Sequence, residues 1–221
     1  LMSTGDELVA PPGPLGPGQI FNANHYALMG MIRRLGMQVV DLGLVRDSPV
    51  ATESALLRGA AEADCIVSTG GVSVGEEDHV KDALIRLGHL ELWRIAIKPG
   101  KPLAFGKVGD TPFFGLPGNP VSAFVTFTLI ARPYLLRFQG CSEILPRPFF
   151  ANAGFQLAAG SRREYLRVRL EVEAGGSLRA MVHDNQGSGV MSSVSWADAL
   201  AEVEIGQSVA YGDRLKVYLL D

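Results

Sequence analysis

Cys65-Ile66-Val67-Ser68-Thr69-Gly70-Gly71-Val72-Ser73-Val74-Gly75-Glu76-Glu77-Asp78 reads as a short buried strand running into a glycine-bearing loop. Val80, Ala83, Leu84 and Leu87 follow at i, i+3, i+4 and i+7, the spacing of a one-sided helix. A strand that is apolar on both faces needs cover on both faces, so strand, glycine turn and helix together predict a parallel α/β sheet. The unit repeats on either side. Asn22 and Asn24 are N-cap candidates for a helix carrying Leu28, Met31, Ile32 and Leu35, with Gly36 as its stop, and Met37 to Val45 reads as a buried strand. Ser48-Pro49 opens the next helix, with Leu56, Leu57, Ala60 and Ala61 on one face. Downstream, strands are expected near Leu90–Ile97, Leu103–Lys107 and Phe113–Leu116, then a long helix from Pro120 to Phe138.

The pattern changes after Gly140. Residues 141–148 hold two prolines and no periodicity, which suits a linker. Beyond it, short strands follow one another, and Tyr165, Arg167 and Arg169 alternate with Leu166, Val168 and Leu170 as in a half-buried strand. The expected architecture is an α/β domain over residues 1–142, its mainly parallel sheet covered by helices on both faces. A small all-β, barrel-like domain follows over residues 143–221.

Composition narrows the function. Hydrophobic residues make up 47% of the 221, charged residues 19%, and the net charge is −3, which argues against disorder and against a nucleic-acid partner. Val121 to Ala131 is about half the ~20 apolar residues that a membrane helix needs, so no membrane span is expected. Cys65 and Cys141 have no metal-ligand spacing and read as free thiols of a reducing cytoplasm. The first residues look like the end of a strand, so a longer parent protein is expected. The departure from average is 26 glycines and 13 prolines, an excess that gathers in strand-end loops.

Ligands of parallel sheets bind beyond the carboxyl ends of the strands, and three such segments stand out. Thr69-Gly70-Gly71 through Asp78 and Leu116-Pro117-Gly118-Asn119-Pro120-Val121-Ser122 each run from strand to loop to helix, where backbone N–H groups can close on an anion. The same glycines also serve a tight turn that lets a helix pack on its strand. Neither loop is a P-loop or a dinucleotide fingerprint. Lys98-Pro99-Gly100-Lys101-Pro102 aims two ammonium groups from one rigid turn, either into solvent or at an oxyanion. Glu7, Asp47 and Asp78 lie at strand ends or in a helix's first turn. There they complement helix dipoles or hold Mg²⁺, which takes one or two carboxylates plus phosphate oxygens. The four histidines occupy unrelated settings, so Ser/His/Asp chemistry is not expected. The residues alone point to a phosphorylated or oxyanionic small ligand with Mg²⁺.

Ser3-Thr4-Gly5-Asp6-Glu7-Leu8, the Thr69–Asp78 loop, Lys98-Pro99-Gly100-Lys101-Pro102 and Leu116–Ser122 occur in an order and at intervals that resemble the molybdopterin molybdenumtransferase (MoeA) family, with its relatives gephyrin and the plant cofactor-synthesis protein. The resemblance covers the family's C-terminal half. It implies insertion of molybdate into adenylylated molybdopterin with Mg²⁺-dependent release of AMP, and a homodimer that contacts the molybdopterin adenylyltransferase. It assigns catalysis to Asp47, Asp78, Lys98 and Lys101, and Mg²⁺ to Glu7 and Asp78. Ligand binding falls to Thr69, Gly70, Gly71, Ser73, Gly75, Pro117, Gly118, Asn119 and Ser122. Arg94, at a position that is lysine in some members, joins them, with Arg167 and Ser188 facing the cleft from the β domain. The rival readings are an adenylyltransferase-type enzyme, from which the β domain and the opening Thr-Gly-Asp-Glu differ, and a non-catalytic binding scaffold.

Overall fold

Successive side chains of a strand point to opposite faces, and the central strands here are apolar on both, which fixes a three-layer first domain. The structure is a computed structural model describing residues 1–71 and 79–220. Its elements are β1 (Met2–Thr4), β2 (Leu8–Val9), β3 (Ile20–Phe21), α1 (Ala23–Arg34), β4 (Gly43–Val45), α2 (Pro49–Glu62), β5 (Ile66–Thr69), α3 (His79–Leu87), β6 (Gly88–Arg94), β7 (Ile97–Lys98), β8 (Pro102–Val108), β9 (Thr111–Leu116) and α4 (Pro120–Thr126). A π-helical stretch (Phe127–Ala131), α5 (Arg132–Phe138), β10 (Phe149–Ala153), β11 (Arg163–Val172), β12 (Leu178–Val182), α6 (Ser192–Trp196), β13 (Ala199–Val203) and β14 (Arg214–Leu219) complete the chain.

The first sheet has the order β4-β1-β5-β9-β8-β6. Neighbours from β4 to β9 are parallel, whereas β8 is antiparallel to both β9 and β6, so the sheet is mainly parallel, as expected, with two antiparallel pairings at one edge. The turn joining β8 to β9 is too short for the crossover that a parallel pair requires. Leu1, Val67, Leu103 and Phe114 pack with Leu28 and Ile32 of α1 and with Ala123, Phe127 and Leu135 of the α4–α5 run. Their neighbours Met2, Ile66, Ala104 and Phe113 pack on the other face with Leu56 of α2 and Leu84 of α3. Of the strand expected over Met37 to Val45, only Gly43–Val45 forms. The α4–α5 run is long and apolar enough to cross a membrane by length and composition, yet Val121, Val125, Phe127, Ala131 and Leu135 are buried within the fold. Its π-helical turn precedes Pro133, whose ring would crowd the carbonyl four residues back in a regular α-helix.

In the second domain β12-β10-β14-β13-β11 closes on itself through the β11–β12 pair, forming a five-stranded barrel. Ala151, Ala153, Ala180, Ala199 and Ala201 line its core, and their small side chains let so few strands close. The two domains are joined through more than the linker. β7 leaves the first domain to pair in parallel with β11, placing Lys98 opposite Glu164. Val121 and Val125 of α4 share a core with Tyr165 and Leu200 of the barrel. That contact corrects the expected alternation along β11. Glu164 to Val168 are all buried, because on the outward face of this strand Tyr165 packs against α4 and Arg167 is covered by the 185–188 loop and Ser193.

Cys65 and Cys141 are both free thiols. Burial pushes the Cys65 thiol up to about 12. At pH 8 its thiolate fraction is then on the order of 10⁻⁴, so Ellman's reagent is expected to titrate Cys141 alone in the folded chain and both cysteines in guanidinium.

Candidate functional site

The parallel strands β1, β4, β5 and β9 all end at one rim. Register carries the other expected residues there: β8 pairs Ala104 with Gly115, setting its first residue, Pro102, beside the Leu116–Pro117 end of β9, and β6 pairs Arg94 with Pro102. Arg94, Lys101, Thr69, Pro117 and Gly118 therefore share the carboxyl end of the sheet.

Two glycines hold the first loop against β1. Gly70 and Gly71 have φ of +80° and +66°, and a Cβ on Gly70 would stand 2.1 Å from the Thr4 carbonyl oxygen. Beside this loop the Thr4 hydroxyl is buried without a hydrogen-bond partner among the described residues, as is the Ser68 hydroxyl on the neighbouring strand. The Pro117–Gly118 loop lies alongside. The Thr69 hydroxyl donates to the Pro117 carbonyl at 3.2 Å, and the Asn24 side-chain amide donates to Thr69 Oγ1 at 3.0 Å and to the Gly118 carbonyl at 2.7 Å. Asn22 and Asn24 are both cap candidates in the sequence. Asn22 caps α1 by accepting from the His25 N–H, and Asn24, in the first turn, faces the loops. The signal in the sequence was two asparagines at one helix start, where only one can cap.

The helix that follows Pro117–Asn119 offers less to an anion than its sequence suggests. Pro120 has no N–H, the Val121 N–H donates to the Ser188 carbonyl at 2.9 Å, and the Ala123 N–H donates to the Asn119 carbonyl. Ser122 is 4% exposed, and its carbonyl accepts from the Thr126 hydroxyl. Ser188 thus meets the site through its backbone, from the other domain.

Arg167 departs furthest from expectation. It neither faces an open cleft nor points outward: its side chain is 0% exposed, donating to Ser193 Oγ at 3.0 Å and to the carbonyls of Gly187 and Asn185 at 3.2 and 3.5 Å. Burial draws its guanidinium down to about 10, still charged at neutral pH, and no carboxylate pairs with it among the described residues. Arg167 therefore shapes the 185–188 loop whose Ser188 carbonyl meets α4.

Lys98 is expected as a free ammonium group, but it reaches both carboxylate oxygens of Glu164 at 3.1 Å; the Glu164 side chain is only 10% exposed. Sequence reasoning missed this partner because Glu164 lies 66 residues away. Lys101 has no ion pair among the described residues. Lys98→Ala strands a largely buried carboxylate and is expected to cost about 1–2 kcal/mol. Lys101→Ala should stay within ~0.5 kcal/mol; urea denaturation of both variants checks the contrast.

The carboxylates sit openly. Asp6, Glu7 and Asp47 are exposed, and the Asp47 N–H donates to Asp6 Oδ1 at 3.4 Å. Among the described residues no three His, Cys, Asp or Glu side chains form a metal-binding group. Exposed carboxylates at two adjacent strand ends still fit Mg²⁺, which keeps several waters and needs only one or two protein oxygens. Ser73, Gly75 and Asp78 lie outside the described residues.

Behind the rim, Ser3 Oγ lies 3.2 Å from His25 Nδ1, and His25 Nε2 lies 3.1 Å from Asp41. The expectation that the histidines occupy unrelated settings fails for His25. Burial opposes ionisation of Asp41, but the Gly43 N–H and His25 outweigh it and hold the carboxyl below its usual range. Ser3 is fully buried within β1, so the trio ties α1 to the sheet and has no access to a substrate.

The family model of a probable molybdopterin binding domain matches residues 1–137, and that of the MoeA C-terminal region, domain IV, matches residues 151–220. The chain belongs to the molybdopterin-binding domain family. Within it, the chain is 39% identical over 196 residues to the molybdopterin molybdenumtransferase of Haemophilus influenzae, covering 87% of this chain and 48% of that one. It is 37% identical over 206 residues to the molybdenum cofactor synthesis protein cinnamon of Drosophila melanogaster, covering 90% and 34%. A solved molybdopterin biosynthesis MoeA protein from Pyrococcus horikosii superposes with a TM-score of 0.82 at 32% identity, over 99% of this chain and 53% of that chain. The chain spans about half the length or less of these relatives. Both MoeA-type domains are present, the α/β sheet and the small closed barrel.

Proposed function

We propose that this chain forms the ligand-binding half of a molybdopterin molybdenumtransferase, which inserts molybdate into adenylylated molybdopterin and releases AMP. The observation that carries the reading is the shared rim. There, glycine loops after β5 and β9, a basic edge of Arg94 and Lys101, and exposed acids after β1 and β4 surround one end of the sheet. The C-terminal barrel supports this reading over an adenylyltransferase-type enzyme, as does the relatives' printed name.

Each part has a task. The Thr69–Gly71 and Pro117–Asn119 loops bring backbone close to a phosphate. Lys101 and Arg94 offset the desolvation of a dianion such as molybdate. Glu7 and Asp47, with Asp78, would hold Mg²⁺. When bound, that ion neutralises charge developing on the phosphoanhydride as AMP leaves. A homodimer, with contact to the molybdopterin adenylyltransferase, completes the proposal.

Calorimetric titration with ADP in the presence and absence of Mg²⁺, followed by molybdate competition, tests it. Mg²⁺-dependent nucleotide binding that molybdate weakens is the expected result. Binding of neither ADP nor molybdate would overturn the reading.

A further inference from the structure

The two glycine loops belong to segments 48 residues apart, and no regular ladder bond beyond the β5–β9 pairing sets the gap between them. Among the described residues two side chains span that gap, Thr69 directly and Asn24 from outside both segments. Asn24 donates to Thr69 Oγ1 and to the Gly118 carbonyl, and Thr69 passes the connection on by donating to Pro117. The polarity of the chain is settled: a hydroxyl that donates to Pro117 must accept from Asn24, so both bonds of Asn24 require N–H donors. At Gly118 the loops come close enough that a Cβ would stand 3.8 Å from the Gly70 Cα. Asn24 is free for this task because Asn22 caps the helix.

We propose that Asn24 is a positioning residue: its amide sets the spacing of the Gly70–Gly71 and Pro117–Gly118 loops and thereby the affinity of the rim for a phosphate-bearing ligand. This inference rests on the oxyanion-site reading above and adds the residue that builds the site. Asn24 is partly exposed at the start of α1, in the first turn, so its removal leaves both hydrophobic cores intact.

Three variants, Asn24→Ala, Asn24→Asp and Thr69→Val, and the double variant of Asn24→Ala with Thr69→Val test it, read by ADP–Mg²⁺ titration and by melting temperature. Asn24→Ala is expected to weaken ADP binding about tenfold, and the double variant should bind within about twofold of Thr69→Val alone, as for two members of one network. Asn24→Asp replaces two donors by acceptors and adds negative charge beside the anion, so a loss on the order of a hundredfold is expected. The extra deficit of Asn24→Asp over Asn24→Ala should shrink as pH falls toward about 4, where the introduced carboxyl takes up its proton, and Thr69→Val should show no such recovery. ADP affinity within about twofold of the parent in both Asn24 variants, with melting unchanged, would overturn this inference alone. Failure of the unsubstituted chain to bind ADP or molybdate would overturn the oxyanion-site reading as well.

Discussion

Gly70→Ala is expected to destabilise the first domain by at least ~3 kcal/mol and to abolish nucleotide binding. Two effects add. A φ of +80° costs an L-residue roughly 1–2 kcal/mol, and the new Cβ would stand 2.1 Å from the Thr4 carbonyl oxygen. That oxygen belongs to the backbone of β1, held between β4 and β5, so it cannot swing aside as a side chain would. The loop must lift, which separates Thr69 from Pro117 and opens the rim. Gly36 provides the control, because it has φ of +78° but nothing within 4 Å of its would-be Cβ. Gly36→Ala should therefore cost only the conformational part, about 1 kcal/mol, and bind ADP normally. Urea unfolding of the two variants separates backbone conformation from close approach. Equal losses in both would show that the Thr4 contact is soft.

Arg167→Met has the second-largest expected effect, about 1–3 kcal/mol of lost stability. Opposing effects decide it. Removing a buried guanidinium recovers its desolvation penalty, the same penalty that draws it down to about 10. Against this, the carbonyls of Asn185 and Gly187 lose a charge-assisted donor, roughly 1–3 kcal/mol for the two together because both residues are exposed and water takes up part of each bond. Ser193 is less affected, because its hydroxyl still donates to the Val190 carbonyl. The loss on the two carbonyls exceeds the gain, so the 185–188 loop loosens and the Ser188 carbonyl releases the Val121 N–H. Amide hydrogen exchange at Val121 should accelerate in the variant more than exchange in the barrel strands. Unchanged Val121 protection at parental stability would refute the loop-shaping role and leave ligand contact as the reason for the arginine.

Legibility in the sequence followed locality. The caps at Asn22 and Ser48, the strand Ile66–Thr69, the helix His79–Leu87 and the strand Leu178–Val182 depend on neighbours a few residues away, and their spacing alone is enough to read them. The segment Met37–Val45 is as apolar as a strand, yet forms one only over Gly43–Val45, because hydrophobicity reports burial and ladder pairing decides conformation. The partners of Arg167 and Lys98 were not readable for another reason. Each basic side chain carries charge in a pattern that looks solvent-facing, and each is met by a domain or a residue far along the chain: the 185–188 loop for one, Glu164 for the other.

The glycines after β5 and the prolines after β9 were readable as strand-end turns, because glycine takes positive φ readily and proline fixes its own φ and lacks an N–H, so composition and order alone located these loops at the carboxyl end of a parallel sheet. What the tertiary structure decided is which donors remain for a ligand. Hydrogen-bond partners come from contacts 45 to 94 residues apart for Asn24 and 66 apart for Lys98. The docking of the barrel on α4 takes the Val121 N–H, and the 185–188 loop covers Arg167. A polar group's availability depends on whether something else has already satisfied it, and that is a property of the folded surface, not of residue order.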